Sequence, residues 1–118
     1  MIVQGAHSTQ KYGLAAGKPL LNALKILRKG ADDFLAIDES FKAMRRLADP
    51  MGADPGIVIG EVGGAGAGAL LAIMEDCDQR LRFSLALNEE SIVLLFGTKG
   101  DTDPESYAGI INAGMPGV

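Results

Sequence analysis

Short apolar runs rich in β-branched residues alternate with helical patterns along the whole chain of 118 residues. Strand-like runs occupy 2–4, 34–37, 57–59 and 91–97, and apolar residues recur at helical spacing between them. Parallel strands are joined by connections of about a dozen residues or more, which are usually helices. The alternation therefore predicts an α/β fold: a single domain over 1–118, a layered αβα unit with a short, mostly parallel sheet flanked by helices.

Capping and stop signals bound the helices between these runs. Asp38 or Ser40 is predicted to cap the second helix. Pro104 suits the first turn of the last helix, with Thr102 or Asp103 as its cap. Three further helices are predicted: one over 19–30, one from the glycine run to about Cys77, and one over 78–87.

The stretch IVIGEVGGAGAGALLAIM, residues 57–74, places a cluster of glycines between a predicted strand and a helix. Gly64, Gly66 and Ala69 formally match the G-x-G-x-x-G/A dinucleotide fingerprint. The match starts several residues after the strand ends, and the intervening Glu61 would repel a pyrophosphate. Two interpretations stay open: small residues that let a helix pack closely, and glycines that let a flat cofactor approach the backbone.

A second glycine-opened strand end favours a ligand site. Gly60–Glu61 follows one predicted strand and Gly97–Thr98 follows another. In open parallel sheets ligands bind beyond the carboxyl ends of the strands, so both pairs are expected at one rim.

Charge and composition exclude several classes of function. The 11 basic and 15 acidic residues give a net charge of −4, and Arg28–Lys29 and Arg45–Arg46 sit at predicted helix ends, where cations favour the helix dipole. Nucleic-acid binding is therefore not expected. One cysteine, Cys77, cannot form an internal disulfide, and the single histidine, His7, is far from it in sequence. A reducing, cytoplasmic compartment is predicted, with no catalytic cysteine, no metal site and no membrane span.

Four collinear stretches resemble diaminopropionate ammonia-lyase, a pyridoxal-phosphate enzyme of the tryptophan-synthase-β structural group. The resemblance runs from about residue 3 to 111, and its most distinctive motif is G-D-T-D-P-E-x-Y. It covers only the C-terminal part of that enzyme. The stretches are GLAAGKP (13–19), LKILRKGADDFLAIDES (24–40), AMRRLADPMGADPGIVIGEVGGAGAG (43–68) and VLLFGTKGDTDPESY (93–107).

The resemblance implies a lyase that eliminates ammonia from 2,3-diaminopropionate and forms pyruvate, with pyridoxal phosphate as electron sink. It also implies that the Schiff-base lysine and the phosphate cup belong to the part of the enzyme that is missing here. No catalytic residue is therefore assigned to this chain. The residues expected to border the cofactor are Gly60, Glu61, Gly63, Gly97 and Thr98.

The chain departs from the family pattern at the rim. Ile59 and Val62 stand where the family has two serines of S-G-E-S-G. Gly97 occupies the position of the family serine that hydrogen-bonds the pyridine nitrogen, so only the neighbouring Thr98 could offer a hydroxyl there. Lys99 replaces an acidic residue and matches no family lysine.

Two functional hypotheses follow. In the first, the chain contributes to a pyridoxal-phosphate site that another polypeptide, such as the missing N-terminal half, completes, and it is inactive alone. In the second, it is a non-catalytic truncated descendant that acts as a small self-associating binding or interaction module. In the second hypothesis a homo-oligomer is expected, with a symmetric dimer favoured, because an open sheet cut from a larger domain leaves unpaired edges.

Overall fold

The computed structural model describes residues 18–37, 40–76 and 79–113. Contacts divide the chain into two units, Met1–Ala36 and Ile37–Val118. The predicted strand over 2–4 lies outside the described residues, as do His7, Asp38 and Cys77. The helices of the described part are α1 (Leu21–Gly30), α2 (Phe41–Ala48), α3 (Ala65–Glu75), α4 (Arg80–Ser84) and α5 (Pro104–Asn112).

Helix α1 lies within the described part of the first unit, residues 18–36, where helical spacing and stop signals predicted it. Arg28 and Lys29 lie in its last turn, where they interact favourably with the helix dipole. The amide of Ala31 closes the helix by donating to the Leu27 carbonyl at 2.9 Å. No residue of α1 is buried: Ala23 and Leu24 are half-buried, and the exposed apolar side chains are those of Leu21, Ile26 and Leu27.

The core of the second unit forms where α2 packs against both α3 and α5. Met44 of α2 is fully buried and meets Ile59 and Ile110, which are also buried. Arg45 ties α2 to α5, since its Nε donates to the Ile110 carbonyl at 2.7 Å. The half-buried side chains that surround this cluster are Phe41, Leu47, Tyr107 and Ile111.

Small residues set the approach of α3 to the start of α2. Ser40 is fully buried, and its hydroxyl donates to the Glu61 carbonyl at 2.8 Å instead of capping α2. A Cβ atom at Gly68 would lie 3.0 Å from the Ser40 Cβ, and one at Gly64 would lie 3.3 Å from the Met44 Cγ. The glycine run therefore serves close helix packing, although the partner is α2 and not a sheet.

The last two helices differ in how well the sequence predicted them. Helix α5 begins at Pro104 as expected, and Asp103 is the cap, because its carboxylate accepts from the Ser106 amide at 3.1 Å. Helix α4 covers only Arg80–Ser84 of the predicted 78–87. Gln79 and Ala86 have φ values of +56° and +53°, and this left-handed backbone interrupts a helix.

The prediction of a layered αβα unit with a mostly parallel sheet is wrong for residues 18–37, 40–76 and 79–113, in which no residue forms a strand. The predicted strands at 34–37, 57–59 and 91–97 run there without a pairing ladder. A strand exists only where a neighbour pairs with its backbone, whereas an apolar run reports only a tendency to be buried. In the segment 57–60, the Ile57 amide donates to the Leu47 carbonyl and the Gly60 amide donates to the Lys99 carbonyl. These two hydrogen bonds to different segments are too few for a strand ladder.

None of the helices among the described residues is long and apolar enough to cross a membrane.

We expect the close packing at Gly68 to be visible in the free energy of unfolding. The substitution Gly68→Ala should lower this free energy by about 1–2 kcal/mol, because overpacking against Ser40 costs more than the improved helix propensity returns. Urea unfolding followed by circular dichroism measures the change. Gly109→Ala is the matched control, because nothing lies within 4 Å of its Cβ position, and it should stabilise α5 by about 0.5–1 kcal/mol. Equal effects at the two positions would contradict the packing described here.

Candidate cofactor rim

The two glycine-containing stretches that the sequence singled out lie against each other. The Gly60 amide donates to the Lys99 carbonyl at 2.8 Å. A Cβ atom at Gly63 would lie 2.7 Å from that same carbonyl oxygen, and a Cβ atom at Gly60 would collide with the Gly100 carbonyl. We call residues 60–64 together with 97–100 the rim.

A tight turn brings the chain from the buried Ile59 into α3. The Gly64 amide donates to the Gly60 carbonyl at 2.8 Å, and the Ala65 amide donates to the Val62 carbonyl at 3.2 Å. Because the Glu61 carbonyl accepts the buried Ser40 hydroxyl, this turn is held to α2 as well as to Lys99. The half of the rim that precedes α3 is therefore fixed from both sides.

The five residues expected to border a cofactor differ in accessibility. Gly60 and Gly63 are buried, Glu61 is half-buried, and Gly97 and Thr98 are exposed. The atoms that fill the space beside the glycines belong to the chain itself. A Cβ atom at Gly97 would collide with the Ile59 Cδ1 atom. Cβ atoms at Gly60 and Gly63 would collide with the backbone of residues 99–100.

Sequence reasoning missed two residues that shape the rim. Ser40 is a predicted helix cap, yet its hydroxyl donates to the Glu61 carbonyl and holds that turn. Gly100 supplies the carbonyl against which Gly60 packs, and the same carbonyl accepts from the Thr102 amide at 3.0 Å. The small residues at both ends of G-T-K-G were the available signal for such a close approach of two backbones.

No enclosed amine accompanies the rim within the described residues. Each lysine that the structure describes is exposed to solvent. Lys42 forms an ion pair with Glu75 on the surface, and Lys99 lies on the rim itself but faces solvent. A lysine that forms an imine with a carbonyl needs a desolvated pocket that lowers the pKa of its amine. The part of the chain that the structure describes also contains no group of three or more His, Cys, Asp or Glu residues able to hold a metal ion.

These residues offer two polar side chains at the rim but do not make up a whole pyridoxal-phosphate site. Thr98 is exposed and offers a hydroxyl, and Glu61 offers a carboxylate at the turn. The space beside Gly60 and Gly63 is filled by the chain's own carbonyl groups, and the space beside Gly97 by the Ile59 side chain. The described part of the chain therefore supplies a rim without the enclosure that cofactor chemistry requires.

Comparison with known proteins finds a larger enzyme, one part of which is similar to this chain. No family model matches the chain. It is 39% identical over 119 residues to the diaminopropionate ammonia-lyase of Escherichia coli strain K12. The alignment covers 98% of this chain and 30% of that enzyme. The resemblance to one part of diaminopropionate ammonia-lyase is confirmed.

Solved structures agree with this assignment in three dimensions. The crystal structure of the Escherichia coli diaminopropionate ammonia-lyase with D-serine matches with a TM-score of 0.80 and 38% identity. This match covers 86% of the present chain and 27% of that enzyme. The complex of the same enzyme with an aminoacrylate–PLP azomethine reaction intermediate matches with a TM-score of 0.60 and 38% identity, over 64% of the present chain and 20% of the enzyme.

The chain therefore spans about 30% of the length of the curated relatives that it matches. A segment resembling the C-terminal part of diaminopropionate ammonia-lyase fits these matches, and an independent binding module is not favoured. The stretches of the sequence that carried the resemblance include both halves of the rim.

Substitution at the rim glycines should open the junction between the two stretches. In Gly63→Ala, the added methyl group must displace the Lys99 carbonyl, which is backbone and cannot rotate away. We expect a loss of about 2 kcal/mol of unfolding free energy, together with loss of hydrogen-exchange protection at the Gly60 amide. Both are measurable by NMR on the purified chain.

Gly100→Ala is the control for this experiment, because nothing lies within 4 Å of its Cβ position. Protection of the Gly60 amide should survive in this variant. If protection falls equally in Gly100→Ala and Gly63→Ala, the steric account of the rim is incorrect.

Proposed function

We propose that this chain provides one wall of a pyridoxal-phosphate site of the diaminopropionate ammonia-lyase type and does not catalyse the reaction by itself. In this proposal Gly60, Glu61 and Gly63 border the cofactor from one stretch of the rim, and Gly97 and Thr98 from the other. The contact between those two stretches carries the proposal. It occurs in a chain of which 98% aligns with the Escherichia coli enzyme at 39% identity.

The exposed lysines support the second half of this proposal. A lysine that forms an imine with a carbonyl group needs a desolvated pocket, and an exposed lysine does not have one. The rest of the site would come from residues outside these 118, because the alignment covers only 30% of the relative's length. A cytoplasmic location belongs to the same proposal and is supported by the single cysteine, which is typical of reducing compartments.

The first test uses the purified chain with pyridoxal phosphate. We expect no visible absorption band of a lysine imine and no pyruvate on addition of 2,3-diaminopropionate, because no described lysine is desolvated. Absorption spectroscopy and a coupled pyruvate assay measure both outcomes. Pyruvate production by the chain alone would overturn the claim that it is inactive.

A chimera tests whether the rim can border the cofactor. In it, the matching segment of the Escherichia coli enzyme is replaced by this chain, and the affinity for pyridoxal phosphate is measured by equilibrium dialysis. We expect the chimera to bind the cofactor more weakly than the parent enzyme, because Gly97 has no hydroxyl for the ring nitrogen. Introducing Gly97→Ser together with Ile59→Val should tighten binding by about tenfold, the effect of one hydrogen bond to a charged group.

The second change is needed because the Ile59 Cδ1 atom occupies the position of a Gly97 side chain. Gly109→Ser in the same chimera is the matched control, since that position on α5 has open space around it and should leave affinity unchanged. A chimera that folds but gains nothing from Gly97→Ser with Ile59→Val would contradict the placement of the cofactor ring beside Gly97.

A further inference from the structure

The side chain of Ile59 lies between the two stretches of the rim. It is 8% exposed and belongs to the buried cluster that also contains Met44 and Ile110. Towards the rim, its Cγ1 atom would lie 2.9 Å from a Cβ atom at Gly63 and 3.4 Å from a Cβ atom at Gly97. Its Cδ1 atom is closer still to the position beside Gly97, where an added Cβ atom would collide with it. One side chain therefore fills the space beside a glycine of each stretch.

Three glycines of the rim differ in what limits the size of the residue at that position. Gly60 and Gly63 face carbonyl oxygens of residues 99–100, which belong to the backbone and cannot rotate away. At Gly97 the obstacle is the Ile59 side chain, because the next nearest atom, the Gly63 carbonyl oxygen, is at an ordinary contact distance of 4.0 Å. Gly97 also lacks the left-handed backbone conformation that glycine adopts more readily than other residues. The length of the side chain at position 59 therefore decides which residue fits at position 97.

This arrangement makes the rim apolar beside Gly97. Glycine has no side chain that could donate or accept a hydrogen bond, and the atoms of Ile59 that fill the space are methyl and methylene groups. A polar ligand atom that came to lie there would lose its hydrogen bonds to water without gaining one from either side chain. A carbon–hydrogen edge of a ring would lose no hydrogen bond at the same place. The rim therefore favours a ligand edge without a hydrogen-bonding atom at this point.

We propose that Ile59 is the specificity-determining residue of the rim. Its side chain leaves room only for glycine at position 97, and the two residues together present an apolar wall to a flat ligand. This inference rests on the proposed function, in which a cofactor ring lies beside Gly97. It adds that the ring nitrogen of pyridoxal phosphate gains no side-chain partner there, so that a ring with carbon in place of this nitrogen binds about equally well.

A double-mutant cycle on the 118-residue chain tests the contact between the two residues. Gly97→Ala should lower the equilibrium constant of folding by about tenfold or more, because the added methyl group overlaps the Ile59 side chain. In an Ile59→Val background, which lacks the Cδ1 atom, the same substitution should lower the constant by less than about threefold. Urea unfolding followed by circular dichroism measures all four constants.

Gly100→Ala is the matched control for this cycle, because it lies on the same rim and nothing is within 4 Å of its Cβ position. Its effect should be the same with isoleucine or with valine at position 59. If Gly97→Ala alone does not fold, recovery of folding in the double variant supports the contact. An equal cost of Gly97→Ala in both backgrounds, or a double variant that stays unfolded where Ile59→Val alone folds, would overturn it.

Ligand discrimination in the chimera tests the chemical consequence. The two compounds compared are pyridoxal phosphate and its analogue in which a C–H group replaces the ring nitrogen, and equilibrium dialysis gives both dissociation constants. With Ile59 and Gly97 in place, the two constants should agree within about twofold, because neither ring edge gains a hydrogen bond. With Ile59→Val and Gly97→Ser, pyridoxal phosphate should bind about tenfold more tightly than the analogue, because the serine hydroxyl then reaches the nitrogen.

The possible outcomes separate this inference from the proposed function. A chimera that folds but binds neither compound contradicts the proposed function, and this inference with it. A chimera that binds both compounds but prefers pyridoxal phosphate by about tenfold with Ile59 and Gly97 unchanged leaves the proposed function intact and overturns the role of Ile59. Loss of that preference in Thr98→Val would then assign the ring nitrogen to the Thr98 hydroxyl.

Discussion

The junction between Gly60 and Lys99 is the contact on which the second unit depends. One backbone hydrogen bond of 2.8 Å joins the segment that leads into α3 with the segment that leads into α5. The joined backbones approach so closely that Gly60 and Gly63 have no room for a side chain. Because α3 and α5 both pack on α2, this junction fixes the two helices that enclose Met44.

Ser40 extends the same constraint to α2. Its hydroxyl is buried, and a buried donor without a partner would cost about 1–3 kcal/mol, so the bond to the Glu61 carbonyl stabilises the turn as well as satisfying the group. Gly68 then lets α3 approach the Ser40 backbone. The glycine run of the sequence is thus explained mainly by three close contacts of backbone with backbone or with a short side chain. A cofactor is not needed to account for it.

The sequence predicted the helices well because the signals are local. The apolar spacing in α1, the Asp103 cap and Pro104 each act within one or two turns of the residues that they order. The prediction failed for α4, because Gln79 and Ala86 adopt a left-handed backbone conformation that neither residue type indicates from sequence. The prediction also failed for the sheet. A strand depends on a second backbone that pairs with it, and the apolar residues of a strand-like run do not say which backbone that is.

The candidate site was predictable in part for the same reasons. The sequence placed Gly60–Glu61 and Gly97–Thr98 at one rim by assuming that both follow paired strands. The two stretches do lie together, yet what joins them is the glycine junction and not a shared sheet edge. Residue types could not show that the glycines face the chain's own carbonyls. Glycine is favoured both where a ligand approaches the backbone and where two backbones contact each other closely.

The match to the Escherichia coli enzyme and the absence of strands in residues 18–37, 40–76 and 79–113 have one physical explanation. The TM-score of 0.80 measures how closely the backbone of this chain follows that of the enzyme. In this chain the course of the backbone is set by helix packing and by the hydrogen bond at Gly60. Strand pairing is a separate property that needs a second backbone, and about 70% of the enzyme's length has no counterpart in the alignment, which covers 30% of it. The side chains of Ile92, Leu94 and Phe96 are therefore exposed, and the backbone of residues 92–96 forms no ladder with the other described residues.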